Sequence, residues 1–287
     1  VQRLKGRKHK IVNKKNCTSR KKHLPFGEAG RGLSIFKIGG NIIEDAAELQ
    51  KFLRAFSHVD GAKILVHGGG KKASEVLTIM GITPKMVQGR RITDAATLDV
   101  VTMVYGGLVN KNIVAKLQDL GCNALGMSGA DANSIQAKKR PIKEVDYGFA
   151  GDVEGINTSK LTEILNIELT PVFCALTHDQ NGQLLNTNAD TIASALAVGL
   201  SATFETTLNY CFELNGVLKD IKDKNSVIRK IDSQFYKKLV ADGVIADGML
   251  PKLHNCFHAL EKGVTEVRIG NLGLFEKQEK NYTRLVL

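Results

Sequence analysis

A three-layer αβα fold with a mainly parallel central sheet is predicted by three observations. Two units of strand, glycine turn and helix follow one another directly near the start of the ordered pattern. Short buried apolar runs recur along the rest of the chain, and segments of helical period separate most of them. The first unit is Leu33-Ser34-Ile35-Phe36, then Lys37 and a glycine turn at Gly39-Gly40, then an amphipathic stretch from Asp45 to Phe56. The second is Lys63-Ile64-Leu65-Val66, three glycines from Gly68 to Gly70, and a helix from Lys71 to Met80. Strands joined in this way pair in parallel, because the crossover helix returns the chain to the same edge of the sheet.

Thr93-Asp94 reads as the cap of a long helix towards Leu120, bent at Gly106-Gly107. Ala124 to Met127 returns to the sheet, and Asn133 to Asp152 makes an antiparallel excursion at one edge. A short helix at Leu161 to Leu165 precedes a buried strand at Leu169 to Cys174. Asp179-Gln180-Asn181-Gly182 carries a hairpin signal, and Asn188 caps a helix from Ala189 to Val198. Beyond Gly199 the pattern renews with a strand at Thr207 to Phe212 and a charged turn at Lys219 to Asn225. Helices at Ser233 to Val240 and Leu250 to Lys262 lead to a last strand at Val267 to Ile269. A soft boundary therefore falls near residue 199, dividing residues 34–199 from residues 200–287.

The net charge of +11 points to a polyanionic partner until its distribution is considered. Residues 1–34 hold eleven Lys or Arg and one acid, Glu28, so they carry +10 and the remainder only +1. Residues 1–33 have no strand or helix period and read as a solvated basic extension; a contact between it and nucleic acid is the rival reading. An apolar leader core and membrane-length segments are both missing, which predicts a cytoplasmic protein. The five cysteines lack a Cys-x-x-Cys pair and suit free thiols. His254 and His258 have metal-ligand spacing but no acidic or thiol partner nearby in sequence, so they read as a helix-surface pair and no metal site is assigned.

In an open parallel sheet ligands bind beyond the carboxyl ends of the strands, where both glycine clusters fall. Gly39-Gly40 and Gly68-Gly69-Gly70 let backbone N–H groups approach an anion, with helix N-termini aimed at the same point. Lys37 ends a buried strand, where an ammonium is costly unless it meets an anion such as phosphate. Neither Gly-x-x-x-x-Gly-Lys-Ser/Thr nor Gly-x-Gly-x-x-Gly occurs at these loops, which argues against a P-loop enzyme and a dinucleotide-binding dehydrogenase. Arg90-Arg91, in a loop after Gly89, can grip a carboxylate through two parallel bonds or simply face solvent. Asn186, Asn188 and Asp190 at a helix start exceed what capping alone requires. Lys252 projects from the first turn of the helix opened by Asp247-Gly248-Met249-Leu250-Pro251.

Taken in order, Lys37-Ile38-Gly39-Gly40, Val66-His67-Gly68-Gly69-Gly70, Gly89-Arg90-Arg91-Ile92-Thr93, Asn186-Thr187-Asn188-Ala189-Asp190 and Asp247-Gly248-Met249 with Lys252 resemble the amino acid kinase superfamily, and within it the N-acetylglutamate kinases. The middle of the chain is most similar to the Bacteroidetes branch, whose arginine synthesis is held to use N-succinyl rather than N-acetyl intermediates. The resemblance implies ATP with Mg²⁺ as phosphoryl donor and the γ-carboxylate of an N-acylglutamate as acceptor. It also implies an acylglutamate-binding lobe over 34–199, an ATP-binding lobe over 200–287, and a homodimer insensitive to arginine.

By the same resemblance, Lys37 and Lys252 hold the phosphates and Asp190 aligns the two lysines. Gly39, Gly40, Gly69 and Gly70 offer N–H groups to the moving phosphoryl group. Arg91 binds the α-carboxylate, with Asn186 and Asn188 helping to hold the substrate. Glu213, Gly216 and Val217 lie at the nucleoside, although Cys211-Phe212-Glu213-Leu214-Asn215-Gly216 departs from the family's Ser-Asp-Val-x-Gly pattern. A rival from another class is a non-catalytic nucleotide-binding regulator, against which the joint presence of Lys37, Asp190 and Lys252 argues.

Overall fold

The computed structural model describes residues 31–220, 222–244, 249–276 and 282–287. The basic extension up to residue 30 and the Asp247-Gly248 step lie outside them. Strand β1 (Arg31–Ile38) begins two residues before the predicted run and leads through Gly39 into a short α1 (Gly40–Glu44) and then α2 (Ala46–Ser57). The second unit is β2 (Ala62–His67) and α3 (Gly70–Ile79). Arg90 and Arg91, expected in a loop, instead form β4 (Arg90–Arg91) of a small hairpin with β3 (Met86–Val87). Turn signals around Gln88-Gly89 had hidden it: two-residue strands carry no period to read.

The long helix is α4 (Ala95–Thr102) and α5 (Asn110–Asp119), joined by a π-helical turn over Met103–Val109. The expected bend at Gly106-Gly107 is thus a change of helical pitch. Next come β5 (Ala124–Met127), β6 (Ile135–Lys139), β7 (Ala150–Ile156), α6 (Thr158–Asn166), β8 (Thr170–Phe173), β9 (Leu176–His178), β10 (Leu184–Thr187) and α7 (Ala189–Leu200). The second half holds β11 (Phe204–Cys211), β12 (Lys230–Ile231), α8 (Ser233–Ala241), α9 (Met249–Glu261), β13 (Glu266–Gly270) and, past the last predicted strand, β14 (Tyr282–Leu285).

Among the described residues, eight strands form one sheet in the order β12-β14-β13-β11-β1-β2-β8-β5. From β13 across to β5 every pairing is parallel, and only the β13–β14 pair is antiparallel. The predicted antiparallel excursion is a closed four-strand barrel, β10-β7-β6-β9, in which β7 also pairs in parallel with β10. Gly148 makes its entry possible. At φ +66° it lies where an added Cβ would fall 2.2 Å from the Thr93 carbonyl oxygen, so this crossing accepts no side chain.

Strand alternation decides what each face of the sheet does. Phe36 points to the α2 face, where it meets Phe56 edge-on at 5.5 Å and stacks on Phe275 at 5.1 Å, with Phe52 5.3 Å from the Phe275 ring. Its neighbour Lys37 points to the other face, towards α7. Four phenylalanines thus lock the strand whose next residue carries the charge. Phe52→Ala is expected to cost about 3–5 kcal/mol, the usual price of emptying an aromatic site in a close-packed core. A fall in the urea midpoint with an unchanged slope is the measurement that checks it.

Candidate functional site

Most helix starts in this fold are closed by a side chain: Asp45, Asp94, Asn157, Asn188 and Asp232 accept from first-turn amides of α2, α4, α6, α7 and α8. The starts of α1 and α3 differ. Gly39 and Gly69 hold the N-cap positions and supply no side-chain acceptor. Their first-turn N–H groups remain as donors at the carboxyl ends of β1 and β2, which is where an anion is best received.

Between these loops lies a cleft of about 220 Å³, bordered by Lys37, Gly39, Gly40, Gly68–Gly70, Arg90, Arg91, Tyr105, Arg140 and the segment from Asn186 to Asp190. Lys37 Nζ is 2.7 Å from Asp190 Oδ1, which joins the end of β1 to the first turn of α7. The helix N-terminus favours that carboxylate, and the half-buried Tyr210 hydroxyl donates to the Asp190 carbonyl at 3.2 Å.

Arg91 is 7% exposed. Its Nη2 donates to the Gly70 carbonyl at 2.8 Å and to Ser74 Oγ at 2.7 Å, while Nη1 is buried with no hydrogen-bond partner among the described residues. An unpaired guanidinium nitrogen in a buried site is costly. A carboxylate on the cleft side removes that cost and gains a charge-assisted bond.

Asn186 sits on β10 with its side-chain amide bonded to Thr93 Oγ1 at 3.0 Å. The Asn188 side-chain Oδ1 accepts from Asp190 N at 2.8 Å and Thr191 N at 3.1 Å, so its capping role is met while it still borders the cleft. Lys252 is not part of this gathering. It is exposed on α9, with Nζ 5.6 Å from the Phe212 ring centre. Glu213 borders a separate hollow with Phe212, Asn271 and Asp45. Gly216 and Val217 pack under β14, where the Val217 N–H donates to Thr283 Oγ1 at 2.8 Å. His254 and His258 are both exposed on α9, and no group of three His, Cys, Asp or Glu side chains converges for a metal among the described residues. Cys122, Cys174, Cys211 and Cys256 are free and buried.

Three groups at the site had no role assigned from sequence: His67, Tyr105 and Arg140. His67 is fully buried beneath the glycine loop, with Nδ1 2.7 Å from the Gly68 carbonyl and Nε2 3.0 Å from Asn110 Nδ2. Asn110 also donates to the Val172 carbonyl at 2.8 Å, which leaves its other N–H for Nε2 and fixes the proton of a neutral imidazole on Nδ1. Its peptide thereby turns the Gly69 N–H away from His67, since the two groups of one peptide point oppositely. A histidine directly before three glycines was the available signal. Tyr105 reads as a core aromatic, and Arg140 pairs with Asp152 across the barrel.

The model of the amino acid kinase family matches residues 33–271. The chain belongs to the amino acid kinase family. This amino acid kinase is 56% identical over 237 residues to a Bacteroides thetaiotaomicron protein named acetylglutamate kinase, covering 83% of this chain and 92% of that one. It is 55% identical over 238 residues to the acetylglutamate kinase of Cytophaga hutchinsonii, with 83% and 90% covered. Among solved structures, the N-acetylglutamate synthase of Neisseria gonorrhoeae matches with a TM-score of 0.75 at 22% identity, over 90% of this chain and 60% of that one, a likeness of fold.

Burial lowers the His67 pKa from 6.5 to about 4, against a smaller opposing effect of the Gly68 carbonyl. The unfolded chain therefore takes up a proton between about pH 6.5 and pH 4 that the folded protein refuses. Stability is full above that window and falls as pH drops through it, by roughly 2–3 kcal/mol at pH 4.5. His67→Gln is expected to lack this component, so that urea midpoints of the variant fall less than those of the parent between pH 7.5 and pH 4.5.

Proposed function

We propose that this amino acid kinase transfers the γ-phosphoryl group of ATP to the γ-carboxylate of N-acetyl-L-glutamate, giving the acyl phosphate and ADP, a step of arginine biosynthesis. The observation that carries the reading is the meeting, in one cleft, of the Lys37–Asp190 pair, two uncapped glycine-led helix starts and the unsatisfied Arg91 Nη1. The names of relatives more than half identical over most of the chain support it.

An acceptor carboxylate is ionised at neutral pH and needs no general base, so catalysis reduces to positioning and charge stabilisation. One carboxylate oxygen attacks the γ-phosphorus as the bond to the β,γ-bridging oxygen breaks, and ADP leaves with that electron pair. Lys37 and the N–H groups at Gly39, Gly40, Gly69 and Gly70 bear the charge of the moving group, and Asp190 holds the Lys37 ammonium in place. Lys252 swings from the Phe212 ring to the phosphates when ATP binds. Arg91 grips the α-carboxylate, beside Asn186 and Asn188. The nucleoside lies towards Glu213, Gly216 and Val217. The nucleotide would be taken as its Mg²⁺ complex, the metal supplying further neutralisation of phosphate charge beside Lys37.

One further observation favours a second acceptor. Arg90 is exposed at the cleft and Arg140 also borders it, which suits a third carboxylate on an N-succinyl group. Initial rates of ADP release with N-acetyl- and N-succinylglutamate separate the two, and failure of both overturns the assignment. Lys37→Ala and Lys252→Ala are each expected to lower kcat by about 10²–10³-fold, the scale for removing one transition-state donor. Unchanged kcat would refute their roles, and a parent protein with no turnover would favour a non-catalytic regulator.

The protein works as a homodimer in this reading. Ile79 and Met80 at the end of α3 and Met103 and Leu108 on the π-helical turn are all large and exposed, with Ile79 at 83%. Such apolar surface on a folded chain suits a two-fold contact. Light scattering is expected to give about twice the chain mass of 31.2 kDa, and Met103→Lys with Leu108→Lys to give the single-chain mass.

A further inference from the structure

Tyr105 is buried, at 5% exposure, yet it borders the cleft. The π-helical turn places its ring against the glycine loop. A Cβ on Gly69 would fall 2.9 Å from Tyr105 Cδ1 and 3.1 Å from Cε1, so the ring occupies the space that a side chain at position 69 would need. Its hydroxyl and Arg91 Nη2 lie 3.8 Å and 4.0 Å from one point, the position of a Cβ on Gly70 at the start of α3. Among the described residues no hydrogen bond gives the hydroxyl proton an acceptor. Nor does Arg91 Nη1, from the same corner, have a partner.

We propose that the Tyr105 hydroxyl donates to the same substrate carboxylate that Arg91 binds, making Tyr105 a second determinant for the α-carboxylate of the acceptor. The inference rests on the kinase reading above and adds a residue to it. Two donors of different kind then converge on one anion: a guanidinium that supplies charge and a neutral hydroxyl that supplies direction. Burial raises the pKa of this phenol above its ordinary value near 10, although Arg91 pulls it down, so it keeps its proton. The π-helical turn belongs to the same device, for π turns recur where a helix must aim a side chain into a site.

Tyr105→Phe keeps the ring on Gly69 and removes only the hydroxyl. It is assayed with N-acetylglutamate and with 4-acetamidobutyrate, which keeps the acceptor carboxylate and the acetamido group but lacks the α-carboxylate. The expected result is a KM for N-acetylglutamate raised about tenfold, on the scale of a lost hydrogen bond to a charged group, with kcat and the KM for ATP unchanged. The kcat/KM for 4-acetamidobutyrate, low in the parent, is expected to be the same in the variant. Equal losses on both substrates would mean a structural effect, and no loss on either would mean an idle hydroxyl; each overturns the inference. A parent protein that phosphorylates no acylglutamate would instead overturn the kinase reading on which the inference rests.

Discussion

The ion pair between Lys37 and Asp190 is the contact on which the rest of the site depends, because it ties the charged end of the central strand to the first turn of α7 at the cleft. Lys37 ends the central strand, and Asp190 opens a helix that follows the small barrel by way of β10. At 2.7 Å and with Lys37 only 18% exposed, the pair sits between a surface bridge and a buried one. A partly desolvated ammonium needs its carboxylate, and a carboxylate at a helix start is already favoured. The strand cannot slip by one residue without turning Phe36 outward and Lys37 into the phenylalanine cluster. Packing on one face thus sets the position of charge on the other.

Much of this was legible in the sequence because the signals were local. A buried run closed by two or three glycines and followed by a helical period leaves few alternatives, and β1, β2, α2 and α3 stand where those signals lie. Asn188 and Asp94 cap the helices they were expected to cap. The barrel was not legible: its strands are short, their outer residues polar, and closure depends on pairings between segments far apart in sequence. The β3–β4 hairpin is shorter than any period can register.

The site divides in the same way. Residues attached to a glycine turn or helix start, namely Lys37, Gly39, Gly40, Gly69, Gly70, Arg91, Asn186 and Asp190, meet in one cleft. Lys252 and the stretch from Glu213 to Val217 do not border it: the lysine rests on Phe212, and the Val217 amide is engaged by Thr283. His67 and Tyr105 were hidden for the opposite reason. Each resembles a core residue in sequence, and only the neighbours supplied by the fold, Asn110 for one and Gly69 with Arg91 for the other, give it an assignment.

The π-helical turn over Met103–Val109 has a consequence for how this helix can vary. Each residue of an α-helix advances the azimuth by about 100°, so losing one residue from the turn would rotate everything after it by more than a quarter circle relative to everything before. Tyr105 could still cover the glycine loop, but Asn110 would swing off His67. The widened turn acts as a phase adjuster, allowing one continuous rod to serve two angular registers at once. Single-residue insertions and deletions should therefore be tolerated less here than in the loops that surround it, although the segment looks like ordinary helix in every other respect.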